Sequence, residues 1–168
     1  MHPLPCVQGC LPEGRHSTKA GGIETRLLFI HAEAFWYEAM IETPIAEEIS
    51  EQDRSRRFGE VLLVLYCTEK VDDSDPRGTA RLAAGEIRKY MSKIGRKPIV
   101  LFPFAFLVSK EEKGSASVAG EMGPMIAQEL QGDDPFIVPF GWYKKFSITS
   151  VGHKYSVHAS RVQVETDS

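Results

Sequence analysis

The chain has 168 residues and 18.8 kDa, with 42% hydrophobic and 26% charged residues, the balance of one soluble globular domain with a core of its own. Its net charge of -3 and pI near 6 are not those of a non-specific nucleic-acid binder, and no apolar run is long enough to span a bilayer. Three cysteines, Cys6, Cys10 and Cys67, make an odd set that argues against a disulfide framework and for a reducing cytoplasm.

In chain order, residues 1–25 are rich in Gly, Pro and polar residues without an apolar signal core, and read as a flexible extension. Cys6 and Cys10 with His2 and His16 fit no compact zinc-finger spacing, so no metal is expected. Arg26 to Ala32 is an apolar run predicting a central strand that ends at a histidine, His31. Phe35 to Ile41 is a second strand or a short helix, and Thr43 to Gly59 is a charged loop with one helical turn. Glu60 to Cys67 is a buried strand leading into Thr68-Glu69-Lys70.

Asp75-Pro76 opens a helix in the expected order of cap and first-turn proline, and Gly95 with Pro98 closes it. Ala80, Ala83, Ala84, Ile87, Met91 and Ile94 form its apolar stripe. Ile99 to Phe104 is a strand. Ser117 to Leu130 is a second helix, for which Gly120, Gly123 and Pro124 predict a kink or a later start. Phe136 to Phe140, Phe146 to Val151 and Tyr155 to Val164 are strands, the last two joined as a hairpin at Gly152-His153. A change of parity within the last one predicts a β-bulge. The expected fold is α/β, a mixed β-sheet with two main helices.

Between Phe136 and Phe146 an apolar run breaks at Gly141 into Trp142, Tyr143, Lys144 and Lys145, residues suited to stacking on bases and pairing with phosphates. An amphipathic strand end with snorkelling lysines accounts for it equally well. From Pro135 to Val164 there is no acidic residue, so the C-terminal part is a local cationic face on an acidic protein. The common nucleophile, Walker, dinucleotide and HExxH motifs are missing. The strand ends that could converge carry His31, Thr68-Glu69-Lys70, Phe102 to Phe106, and Phe140-Gly141-Trp142-Tyr143-Lys144, although each also has an ordinary packing role.

The blocks RLLFIHA, VLLVLYCTEKVDD, PIVLFPFAFLVS, PFGWYKKFSITSVGH and HASR, in that order from Arg26 to Arg161, resemble the N-terminal editing domain of archaeal threonyl-tRNA synthetases. The resemblance implies a D-aminoacyl-tRNA deacylase-like fold, spanning 26–164 with a tail or linker at 165–168, assembled as a homodimer. It implies hydrolysis of L-seryl-tRNA(Thr) without a cofactor, assisted by the 2′-hydroxyl of the terminal adenosine. The partners would be the 3′ end of aminoacyl-tRNA(Thr) and the rest of a synthetase, in cis or in trans, in the cytoplasm. A pocket that holds threonine's hydroxyl discriminates weakly against loss of one methyl, so a second sieve is needed.

By position, Lys144 matches the family's functional lysine and Tyr143 the neighbouring tyrosine. Thr68, Pro103, Phe104, Ala105 and Phe140 match positions lining the aminoacyl and adenosine pockets through main-chain atoms. Glu69, His31, Gly141 and Trp142 complete the expected set. Two positions depart from the pattern: Phe106 stands where the family has histidine, and His158 stands near the family's glutamate, which falls on Val157 when aligned from Gly152-His153. A neutral imidazole at His158 could compensate as a proton acceptor. The rivals are a D-aminoacyl-tRNA deacylase of the same fold, a non-catalytic tRNA-end binding or dimerisation module, and an α/β interaction domain.

Overall fold

A computed structural model describes residues 25–162. The expected extension and tail, Cys6 and Cys10 included, therefore lie outside the described residues, except that Thr25 already stands in the first strand. That strand, β1 (Thr25–Glu42), is one continuous element of 18 residues where the sequence divides it at Ala32. It is followed by β2 (Ser55–Phe58), β3 (Val61–Cys67), helix α1 (Pro76–Ile94), β4 (Ile99–Pro103), helix α2 (Ala116–Glu129), β5 (Phe136–Ile137), β6 (Trp142–Ser150) and β7 (Val157–Val162). Short 3₁₀ turns occupy Glu51–Asp53, Lys70–Ser74 and Ala105–Leu107. No helix among the described residues is long and apolar enough to cross a membrane.

β1 is the spine. On one edge β2 and β3 pair with it in a single register, Ala32 opposite Val61 and Phe35 opposite Phe58, broken only at Gly59-Glu60. On the other, β7 pairs with its first half and β6 with its second. The expected β6–β7 hairpin is thus absent: both strands lie along β1, and residues 151–156 loop out between them. His31 marks the junction, its N–H donating to Ser156 O (2.8 Å) and its carbonyl accepting from Val151 N (3.0 Å). Nor is β7 bulged, since its pairing runs unbroken from Thr25–Val162 to Ile30–Val157; the register shifts fall instead in β1–β6, at Ala32/Ala34 and Ala39/Ile41. A parity change in one strand cannot be told, from sequence, from a chain that has left the ladder.

Parallel β3, β4 and β5 extend the sheet, with α1 and α2 as the crossovers, so both helices cover one face. Leu27 and Phe29 of β1, Leu62 and Val64 of β3, and Leu101 of β4 meet Ala80, Ala83, Ala84 and Ile87 of α1 there. α1 begins as expected, Asp75 accepting from Gly78 N at 3.0 Å, and ends at Gly95. α2 starts at its Ser115 cap and runs through Pro124. Its two inner glycines are close-approach points: a Cβ at Gly123 would stand 2.6 Å from the Tyr66 hydroxyl, and one at Gly120 3.3 Å from the Phe140 ring.

The shift at Ala32/Ala34 turns the side chains of β1 over, so that Phe35 and Tyr37 face away from the helices. They pack with Leu63, Leu65, Val100, Phe102 and Val138 in a second core. The second half of β1, with β2 and β6, therefore curls over the helix-free face of β3–β4–β5: Phe35 lies 5.7 Å from Phe102 and Tyr37 6.2 Å from Phe136, ring to ring. The segment expected as a charged loop with one helical turn, Thr43 to Gly59, has that turn at Glu51–Asp53 and also supplies β2. Of the expected strand Phe136 to Phe140 only Phe136–Ile137 is paired.

Candidate functional site

The curl delivers the start of β6 to the carboxyl ends of β3, β4 and β5. Gly141 makes the turn with φ +79°, and a Cβ there would stand 2.5 Å from the Cα of Ala46. Thr43 donates to the Gly141 carbonyl through N (3.1 Å) and Oγ1 (2.5 Å). Glu47 grips the residues on either side: its carboxylate accepts from Phe140 N (2.8 Å), its N–H donates to Phe140 O (3.1 Å), and its carbonyl accepts from the Trp142 indole (2.9 Å). Trp142 is 8% exposed with Arg54 over its ring, so it is a clamp rather than an open stacking surface.

Lys144 comes next on the inner side of β6, as do Phe146 and Ile148. Its ammonium donates to the Trp142 carbonyl at 2.9 Å and lies 5.6 Å from the centre of the Phe102 ring. Burial lowers its pKa from 10.5 to about 8, with Glu47 acting in the opposite direction. Near neutrality it remains mostly a cation, and a partly desolvated one, whose field is stronger than that of a surface lysine. The wall around it is aromatic: Phe102 and Phe104 present edges to Phe146 at 5.3 and 5.9 Å, and Phe104 meets Phe106 at 5.4 Å.

The expected main-chain lining is at this end of the sheet. Pro103 pairs with Tyr66, Phe104 N donates to Tyr66 O (2.8 Å), and Ala105 opens an exposed 3₁₀ turn. Thr68 is buried, its carbonyl taken by Gly114 N at 3.0 Å. Glu69 serves the scaffold: it binds Arg26 at 2.9 Å, its N–H donates to Asp72 at 2.7 Å, and burial raises its pKa.

Set beside known proteins, residues 25–162 match the family model of the archaea-specific editing domain of threonyl-tRNA synthetase. The chain belongs to that editing-domain family. It is 32% identical over 140 residues to the threonine–tRNA ligase of Methanobrevibacter smithii and 35% over 141 to that of Methanosarcina barkeri, in each case across 83% of this chain. It spans only 23% and 22% of those two ligases. A solved structure of a probable eukaryotic D-amino acid tRNA deacylase shares the fold, with a TM-score of 0.57 at 10% identity, covering 84% of this chain and 100% of that one.

The editing domain does not gather every expected residue at Lys144. Tyr143 alternates to the outer side of β6, opposite Ile41, and is 57% exposed. His158 pairs with Phe29 and stacks on Tyr90 of α1 at 5.8 Å, which puts it on the helix face. Lys144 lies opposite Ala39, ten β1 positions further on and past the bend at Ala32/Ala34. Within one chain, His158 thus stands on the opposite face of the sheet from Lys144 and does not supply an acid–base group beside it. Val157 is the β7 residue that alternation turns to the helix-free face.

His31 is also remote, opposite Leu62, and joins a side-chain chain with Glu60 and His153. A groove of about 410 Å³ lined by Asp75, Arg77, Glu121 and Met125 lies on the helix side, away from Lys144. Glu47 and Thr43, which hold the turn at Gly141, carry no sequence signal because their segment has no period. Phe146 could have been found from its parity with Lys144.

Proposed function

We propose that this editing domain hydrolyses the ester of L-seryl-tRNA(Thr), releasing serine and tRNA(Thr), with Lys144 as its principal functional side chain. The observation that carries the reading is the half-buried Lys144 ammonium, pKa lowered to about 8, held against the Phe102 ring at the strand ends. Water adds to the ester carbonyl, the bond to the 3′-oxygen breaks, and that oxygen leaves with a proton. A preorganised cation in a low-dielectric wall stabilises the oxyanion of the addition step. The 2′-hydroxyl of the terminal adenosine supplies the positioning of the water, so the protein's share is orientation and charge. Pro103, Phe104, Ala105, Thr68 and Phe140 border the aminoacyl and adenosine moieties, and an aromatic wall there is the element that would act against threonine's extra methyl.

The substrate is the 3′ end of a tRNA charged by a threonine–tRNA ligase, with which the domain works in cis or in trans in the cytoplasm. It acts as a homodimer. The test is deacylation of L-Ser-tRNA(Thr), L-Thr-tRNA(Thr) and a D-aminoacyl-tRNA: turnover of the seryl ester with sparing of the threonyl ester is expected. Selective loss of the D-ester would instead make it a chirality-reading deacylase, and binding without turnover a non-catalytic module. L-Ser-tRNA(Thr) ending in 2′-deoxyadenosine, charged on its 3′-hydroxyl, should resist hydrolysis; undiminished turnover would sink the RNA-assisted account.

A further inference from the structure

We propose that Phe106 and Lys113 form a nucleotide subsite for the cytidine that precedes the terminal adenosine, its base stacking on the phenyl ring and its phosphate pairing with the ammonium. The inference rests on the reading of the domain as one that acts on the 3′ end of tRNA.

Phe106 is 73% exposed, with one edge of its ring set against a neighbouring aromatic. It leaves β4 in the 3₁₀ turn Ala105–Leu107 and sets its edge against Phe104 at 5.4 Å, which in turn meets Phe102 at 5.6 Å. Phe102 is the ring that faces the Lys144 ammonium. The three rings therefore form a line from the proposed ester site to solvent, and Phe106 is its outer end.

Lys113 stands beside that end, Nζ 5.8 Å from the Phe106 centroid. Its backbone is anchored by a bridge to Glu69, with Lys70 N donating to Glu112 O (3.0 Å) before it and Gly114 N to Thr68 O (3.0 Å) after it. Lys113 makes no ion pair among the described residues, while the adjacent Glu112 is engaged by Ser109 and lies 4.0 Å from Arg26. An exposed flat ring with a cation over one face, continuous with a site for an esterified 3′ end, leaves the other face for a base and the ammonium for a phosphate, the combination by which single-stranded nucleic acid is held. A phenyl ring carries no titratable nitrogen, so the subsite works by stacking and needs no proton transfer.

The test compares an L-seryl minihelix ending in CCA with 3′-O-L-seryl-adenosine, which lacks the cytidine. Phe106→Ala should raise KM on the minihelix about tenfold, within the range of one lost base stack, and change it by a markedly smaller factor on seryl-adenosine; Phe106→Trp should restore the minihelix KM. Lys113→Gln should reduce the salt dependence of minihelix binding by about one phosphate's share. Equal loss on both substrates, or loss on neither, overturns the subsite. A second readout is independent of turnover: pyrrolo-cytidine at the penultimate position of an uncharged minihelix should be quenched on binding to the wild type and not to Phe106→Ala. Quenching without hydrolysis would sink the proposed reaction and keep the subsite, and no quenching in the wild type would sink the subsite itself.

Discussion

His31 Nδ1 lies 2.7 Å from His153 Nε2, and the partners on either side fix which nitrogen carries the hydrogen. Tyr155 N donates to His153 Nδ1 at 3.0 Å, so His153 Nε2 holds the hydrogen and donates to His31. His31 Nε2 then donates to Glu60 at 2.7 Å, and Lys97 approaches the same carboxylate oxygen at 3.0 Å. The Glu60 carboxyl is accordingly held below its usual range, first by the His31 hydrogen bond and then by Lys97. In this arrangement every donor of the chain meets an acceptor.

Because His31 is 5% exposed, removing its donor leaves a buried nitrogen unsatisfied. His153→Ala should cost roughly 1–2 kcal/mol in urea unfolding and speed amide exchange across residues 151–156. Nitrogen-15 NMR should find the Nε2–H tautomer on both rings; an Nδ1–H tautomer at His31 would contradict the direction of the chain.

Lys144→Met should lower seryl-ester hydrolysis on the order of a hundredfold, the scale of a lost oxyanion contact, and by more than Phe106→His does. The same change relieves a buried charge, so stability should rise by roughly 1–2 kcal/mol after loss of the Trp142 carbonyl bond. Equal rate effects of the two variants would remove Lys144 from its role, and a destabilised Lys144→Met would contradict the account of its burial.

The lowered pKa of Lys144 has a sign that can be checked. Folding takes the group from 10.5 to about 8, so between those values the unfolded chain binds more protons than the folded one. The penalty for burying the charge is present in full below about pH 8 and is relieved as pH rises toward 10.5, so this group makes stability increase with pH there. Activity should move oppositely, falling as pH passes about 8 and the ammonium is lost. A pH–rate profile for kcat that stays flat through this range would dissociate the cation from the chemistry.

Gly141→Ala should be the most damaging single-methyl change in the turn. Its φ of +79° disfavours any side chain, and the added Cβ would collide with the backbone of Ile45 and Ala46. A loss of roughly 2–4 kcal/mol, with an activity loss beyond the unfolded fraction, is the expected result of thermal melts and rate measurements.

The helices and the mixed sheet were legible in the sequence because they rest on local chemistry: Asp75-Pro76 as a cap, an apolar stripe at helical spacing, apolar runs bounded by turns; Lys144 was singled out by resemblance, and its place against the Phe102 ring is what the fold adds. The curl was not, because it depends on which strand β6 and β7 choose, and Phe146 to Val162 reads equally well as a hairpin or as two partners of β1. The same long-range choice decided His158. Its position in the sequence suggested a replacement acid–base group, and pairing with Phe29 turned it toward α1. Trp142 shows a further limit, since composition marks an aromatic residue for stacking but cannot show that Glu47 already holds its indole.

β1 belongs to both layers: its first half lies under the helices and its second half carries Lys144 through β6. No part of the chain can form the proposed site before the whole of that strand is in place. Proofreading by this domain is therefore tied to the completion of its folding. A bulky substitution at the buried Ala32, where that strand bends, would act on fidelity as a change in the amount of competent protein, without altering the specificity of the molecules that remain folded.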